Sequence, residues 1–213
     1  MPRGWWLRQR HYFLYIVREF TALPLALWLL WLLFEIHRAA GGPKHFYASG
    51  SLAFIAFSVI CLGFALYHSY TFLSLAGVII NIKVAGKPVP SRIIVLSQFA
   101  AWFAASILIA AILLPVHILV QGILGPLGIV HVVDRNFDTW ASVVGNPIVK
   151  LYLLVLIALP FFHFAHRLRY LLVDLGLPAA RSLPAQVIFY GAAIVVTLVT
   201  IWILLTTVPI SFG

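Results

Sequence analysis

The sequence predicts an all-α integral membrane protein, a bundle of five transmembrane helices with a cytoplasmic N-terminus. Three observations carry that expectation. The 213 residues are 63% hydrophobic and 9% charged, with a mean hydropathy of +1.08, more apolar than a soluble core of this length needs. Five apolar runs each reach the roughly 20 residues that cross a bilayer. Ten of the 14 lysines and arginines fall in segments on one side of those runs.

The spans are expected at about 14–37, 50–74, 92–120, 147–170 and 185–207. Breaks fall at Gly41-Gly42-Pro43, at Gly86-Lys87-Pro88-Val89-Pro90, in the polar stretch around Asp134–Asn146, and at Leu183-Pro184. The third run exceeds a bilayer and contains Pro115, so a kink, a tilt or an interfacial turn is expected there. Residues 74–86 are expected to form a short amphipathic segment along the surface. The basic start, Arg3, Arg8 and Arg10, leads into a full span rather than a short apolar region with a cleavage site, so no cleavable signal is expected.

Orientation follows from the basic residues. With the N-terminus inside, the inner segments hold Arg3, Arg8, Arg10, Arg18, Lys83, Lys87, Arg92, Arg167, Arg169 and Arg181. The outer segments hold Arg38, Lys44, Arg135 and Lys150. The formal charge of +9 is therefore read as loops that orient membrane helices, not as a nucleic-acid surface.

Composition also removes several functions. The one cysteine, Cys61, rules out disulfides and thiolate-held iron–sulfur clusters within this chain. There is no phosphate-binding glycine loop, no pair of catalytic carboxylates and no nucleophile triad. That argues against a lone membrane hydrolase or a nucleotide-driven pump.

Arg18 and Glu19 interrupt the first apolar run, which extends from Phe13 to Phe34. Excluding them from the span would leave too little to cross, so they are expected about one turn below a surface. An ionisable side chain there is costly and usually functional, and Glu19 needs either a partner or a proton. On the inner side of the same topology lie His68 in the second span, and Gln98 with Trp102 four residues apart in the third. His163, His166, Arg167 and Tyr170 follow i, i+3, i+4, i+7 spacing and are expected to form one polar face of the fourth span. Read blandly, the arginines snorkel to lipid phosphates, His68, His37 and His117 pack structurally, and Trp5, Trp6 and Trp140 anchor at interfaces. Convergence of four spans on one layer favours a site. A quinol would suit it: Arg and Trp donate hydrogen bonds, Phe72 and Trp102 form apolar walls, and Glu19 or a histidine accepts protons.

At these residues the chain resembles the membrane anchor of bacterial quinol:fumarate reductase, in the succinate dehydrogenase superfamily. Those anchors usually comprise two small three-helix subunits. YFLYIVREFTALP at 12–24, LYHSYTF at 66–72 and GKPVPSR at 86–92 resemble the first anchor. LPVHILVQGILGPLGI at 114–129 and NPIVKLYLLVLIALPFFHFAHRLRYLLVDLGL at 146–177 resemble the second. The whole chain, 1–213, then reads as one anchor domain fused from two. Residues 1–91 are first-anchor-like, 92–123 a shared central helix, and 124–213 second-anchor-like. Sharing one helix solves the topology, because an anchor ending outside cannot join directly to one starting inside.

The resemblance implies a set of residue roles. Glu19 would be the proton acceptor for menaquinol, with Arg18, His68, His166 and Arg167 lining the same quinone site. Phe72 stands where the family has a tryptophan, and Trp102 is the nearest candidate for the family's other tryptophan. Gln98 joins the set from the reading of the residues themselves. A flavoprotein holding FAD and an iron–sulfur subunit holding the clusters would dock on the cytoplasmic loops, around Lys83, Lys87, Arg92, Arg167 and Arg169. The setting would be the bacterial inner membrane, with lipid and quinone as the other partners.

Haem b is not expected, since Tyr170 occupies the position of a family haem ligand in RYLLVDLG at 169–176 and the fifth span has no histidine. If haem were present, His68 would pair with His163 or His166. The alternatives are a haem-bearing five-helix cytochrome b anchor of succinate dehydrogenase and, from another class, a small transporter or a structural assembly subunit.

Overall fold

The structure is a computed structural model that describes residues 4–47, 51–132, 136–206 and 209–210. Arg3, Asp134 and Arg135, used above for orientation and for the third break, lie outside the described residues. Among the described residues, five helical segments are long and apolar enough to cross a membrane: Arg10–Ala39, Leu52–Ile79, Ser91–Leu113, Pro147–Asp174 and Leu183–Thr206. Each falls on an expected span.

The first segment is broken into α1 (Arg10–Phe20) and α2 (Ala22–Ala39). The break follows from Pro24, which has no N–H to offer the carbonyl of Phe20. Thr21, buried at the break, turns its hydroxyl back onto the carbonyl of Arg18. Because α1 begins at Arg10, Glu19 lies roughly 13 Å along the helix from its first residue.

The second segment, α3 (Leu52–Ile79), runs past its expected end. Residues 74–86 are therefore not an amphipathic surface segment. The helix takes the first part, and a small antiparallel hairpin of β1 (Lys83–Val84) and β2 (Lys87–Pro88) takes the last. The two-residue turn places Ala85 at φ 49° and Gly86 at φ 78°, the pair of positive angles that a tight hairpin demands.

The third run ends as α4 (Ser91–Leu113), and a separate α5 (Val116–Leu124) follows Pro115. Leu114, held extended before the proline at φ −110° and ψ 133°, is the separator, because a residue preceding proline is driven out of the helical region.

The polar stretch before the fourth span contains an unexpected helix, α6 (Phe137–Gly145). The Asn136 side chain caps it by accepting the Thr139 N–H at 2.8 Å. Asn146 caps α7 (Pro147–Asp174) in the same way, accepting the Ile148 N–H at 2.8 Å with Pro147 in the first turn. Between α7 and α8 (Leu183–Thr206), Gly176 takes φ 99°, and the Leu177 N–H returns to the Leu172 carbonyl. That closes α7 with a left-handed glycine cap.

The chain divides into two compact units, one formed by Met1–Ala65 with Asn136–Gly213 and the other by Leu66–Arg135. The first unit packs α2, α7 and α8 through Leu29, Leu33, Ile36, Ile157, Ile203 and Leu204. Trp140, expected as an interface anchor, also packs against this cluster. Nearer α1, the small residues Ala26, Ala165 and Ala193 meet around Phe161, letting backbones approach as they do in membrane bundles. In the second unit α4 crosses close to α3 at Gly77. A methyl added there would lie 2.6 Å from a Val95 methyl and 3.0 Å from the Ser91 carbonyl.

Candidate functional site

Within the first unit, the sequence's most anomalous residue becomes the centre of an ion-pair cluster. Glu19 is 7% exposed. Its Oε1 accepts from Arg18 Nη2 at 3.1 Å and meets Arg167 Nη2 at 2.5 Å. Its Oε2 accepts from Arg167 Nε at 2.6 Å. Arg167 thus grips both carboxylate oxygens, the two-point geometry that fixes a carboxylate's orientation most firmly. The two residues are 148 positions apart in sequence, one on α1 and the other on α7.

A second carboxylate closes off this end of the unit. Tyr15 sits one turn before Glu19 and so shares its face of α1. Its hydroxyl donates to Oδ2 of Asp174, the last residue of α7, at 3.3 Å. The indole N–H of Trp5 donates to the Asp174 backbone carbonyl at 2.7 Å. Trp5, expected as an interface anchor, thereby ties the N-terminal turn to the end of α7.

The polar residues expected to share one face of the fourth span divide their contacts between two helices. Arg167 turns towards α1, whereas His166 Nδ1 lies 2.8 Å from the Tyr190 hydroxyl of α8. Adjacent helical residues point about 100° apart, so two neighbours serve two different helices. His163 is exposed on the same helix. Arg169 also departs from expectation: it is 7% exposed and therefore not part of a docking surface. Its guanidinium lies 4.5 Å from the ring centre of Tyr170 and 5.7 Å from that of Tyr190, and Nη1 donates to the Ala180 carbonyl at 3.5 Å. Rings on two sides and a carbonyl of the α7–α8 elbow hold this charge by cation–π attraction.

The other expected site residues belong to the second unit. His68 is half-buried and its carbonyl accepts the Thr71 hydroxyl at 3.0 Å. Phe72, one turn on, is exposed. Gln98 is half-buried on α4, and Trp102, one turn later, is exposed with its carbonyl accepting from Ser106 at 2.8 Å. Among the described residues, no three His, Cys, Asp or Glu side chains are grouped to hold a metal ion.

Tyr15, Asp174, Trp5 and Tyr190 are the residues that sequence reasoning missed as members of this cluster. Tyr15 carried a usable signal, being four residues from Glu19 on one helical face. Tyr190 carried none, because a lone tyrosine in an apolar span reads as an ordinary lipid-facing or packing residue.

Comparison with known proteins divides the chain into an earlier and a later half. Residues 1–114 match the family model of the fumarate reductase C-subunit, and residues 95–205 match that of the fumarate reductase D-subunit. The two matches overlap over residues 95–114, almost all of it α4. The fumarate reductase C-subunit of Vibrio parahaemolyticus is 37% identical over 107 residues, which cover 47% of this chain and 83% of that protein. The C-subunit of Vibrio campbellii is 33% identical over 119 residues, 53% of this chain and 92% of that protein. That of Mycobacterium tuberculosis is 28% identical over 114 residues, 52% of this chain and 90% of that protein. No solved structure gives a significant match. A C-subunit followed by a D-subunit in one polypeptide accounts for both family matches.

Proposed function

Because the chain belongs to the fumarate reductase C-subunit and D-subunit families, we propose that it is the fused membrane anchor of a quinol:fumarate reductase, with a menaquinol site built around Glu19. Its N-terminus would face the cytoplasm of a bacterium, across the inner membrane. One observation carries the reading: Arg18 and Glu19, from the C-subunit part, are clamped by Arg167 from the D-subunit part. A buried carboxylate gripped by cations from both halves is expensive to maintain unless it is used.

The chemistry follows from the residues. Oxidation of a quinol releases two protons and two electrons. Glu19 takes a proton from a quinol hydroxyl, while Arg18 and Arg167 hold the carboxylate in position and neutralise it in a low-dielectric setting. His166, oriented by Tyr190, is a second polar group at the same end of α7. From the sequence, His68, Phe72, Gln98 and Trp102 are further proposed quinone contacts. The electrons pass to an iron–sulfur subunit docked on the cytoplasmic loops around Lys83, Lys87 and Arg92, and onward to a flavoprotein that carries out the fumarate chemistry. Of residues 92–123, expected as one shared central helix, only α4 (Ser91–Leu113) would serve both halves, because Leu114 and Pro115 separate it from α5.

Glu19→Gln in the assembled complex tests this directly. Glutamine preserves size and hydrogen bonding but cannot accept the proton, so menaquinol oxidation should fall by about 100-fold or more. Full quinol-oxidising activity would remove Glu19 from the reaction and leave a transporter or purely structural role.

A further inference from the structure

We propose, resting on the menaquinol reading above, that Arg169 is a positioning residue for the quinone site. It holds Tyr170 and Tyr190 around His166, so that His166 presents its Nε2–H to a quinone oxygen.

Arg169 is costly to keep. The residue is 7% exposed, and its Nε is buried without a hydrogen-bond partner. Its hydrogen bond from Nη1 to the Ala180 carbonyl is long, at 3.5 Å. Among the described residues the arginine ion pairs belong to Arg18, Arg38 and Arg167, so no carboxylate balances this charge. Packing alone would favour an apolar side chain there.

The contacts of Arg169 converge on one neighbour. Its guanidinium lies 4.5 Å from the ring centre of Tyr170 and 5.7 Å from that of Tyr190. The same two rings flank His166, at 4.8 Å and 6.3 Å between centres. His166 and Arg169 are three residues apart and so share a face of α7. Tyr190, from α8, serves both, its ring meeting the cation and its hydroxyl lying 2.8 Å from His166 Nδ1. Cation–π attraction holds the two rings in place, and the rings hold the imidazole.

That arrangement fixes which nitrogen is offered. Among the described residues the Tyr190 hydroxyl has no other hydrogen-bond partner. It donates to Nδ1, which leaves the imidazole proton on Nε2. His166 is exposed, so this N–H is open to a ligand oxygen. Arg169 acts through the two rings and does not itself touch the quinone.

Arg169→Met tests the assignment in the whole assembled complex, with a short-chain menaquinol as donor and fumarate as acceptor. We expect KM for the quinol to rise about fivefold, as for loss of one oriented hydrogen bond, with kcat changed less than about twofold. Adding Tyr190→Phe should worsen it little, because both substitutions act through the same bond. Arg169→Lys should restore part of the affinity, since a cation again faces the rings. Tyr170→Leu, at an exposed position, should raise KM as Arg169→Met does, whereas Tyr170→Phe should not. A KM left unchanged by Arg169→Met would overturn the proposal, even with a lowered melting temperature, which is all that a structural role predicts. Independent, multiplying effects of Arg169→Met and Tyr190→Phe would overturn it too. Where Arg169→Met does not assemble, Tyr170→Leu decides by the same KM. Glu19→Gln separates the two readings. If it is slow while Arg169→Met and Tyr170→Leu keep the wild-type KM, only the positioning role falls. If it runs at full rate, the menaquinol site falls and the positioning role with it.

Discussion

The first membrane segment carries an arginine–glutamate pair near each end, and the two pairs are built differently. At one end Glu19 takes its strongest partner from α7, 148 residues away. At the other, among the described residues, Glu35 takes its partners from its own helix. Trp31 donates to it at 3.0 Å from one turn before, and Arg38 pairs with it from one turn after. Arg38 also lies over the Tyr47 ring at 4.2 Å. Glu35 therefore completes its contacts as soon as the helix forms, whereas Glu19 completes them only when the bundle does. A carboxylate that needs tertiary structure to be neutralised is a carboxylate placed for a purpose. One neutralised locally costs little and implies little.

Four measurements test that contrast. The largest effect should come from comparing Glu19→Gln with Glu35→Gln in the assembled complex. The first should lose about 100-fold in menaquinol oxidation, and the second should change it less than about twofold. Similar losses from both would end the distinction.

Next, a double-mutant cycle should separate the pairs by coupling energy. Removing the Arg167 partner with Arg167→Met should destabilise the complex by about 3 kcal/mol, because it strands a buried charge. The Glu19–Arg167 coupling should greatly exceed that of Glu35–Arg38, for which about 0.5 kcal/mol is expected from a same-helix pair. Thermal unfolding of the four single variants and two double variants would show this.

Tyr190→Phe should have a smaller effect. It removes one hydrogen bond to His166, worth about 1 kcal/mol, and should raise KM for menaquinol more than it lowers kcat. A fall in kcat alone would mean that His166 acts on the proton rather than on binding.

The last measurement is a reduced-minus-oxidised visible spectrum with a pyridine haemochrome assay. No b-type signal is expected. A stoichiometric haem would shift attention from the carboxylate end of α1 to His68 and the histidines of α7.

Much of this was legible in the sequence, and what was legible shares one physical basis. Spans are set by runs of transfer free energy, which sum along the chain, so all five could be read without knowing any contact. Glu19 stood out for the same reason, as a charge where the apolar sum should not allow one. Pro115 and Gly86 marked their turns through backbone chemistry that belongs to the residue itself.

What could not be read in the sequence depends on partners far away in it. Arg169 has the composition of a surface cation, and only the ring of Tyr190 across the elbow, with that of its neighbour Tyr170, makes it an interior one. His166 and Arg167 share the polar character expected of a single face. Which helix each one addresses is decided by where α1 and α8 pack, and helical spacing does not encode that. Asp174 and Tyr15 each look ordinary alone. Their meaning lies in a hydrogen bond between residues 159 positions apart.

The distance between Glu19 and Arg167 also has a meaning in time. At a synthesis rate of about 5–20 residues per second, Arg167 follows Glu19 off the ribosome by roughly 7 to 30 s. Throughout that interval the first helix must enter the membrane with its carboxylate uncovered by α7. Arg18, the immediate neighbour, can pair with Glu19 from the moment the two are made. It acts as an interim counterion for a nascent chain, keeping the charge tolerable in lipid until the later half of the polypeptide arrives to claim it.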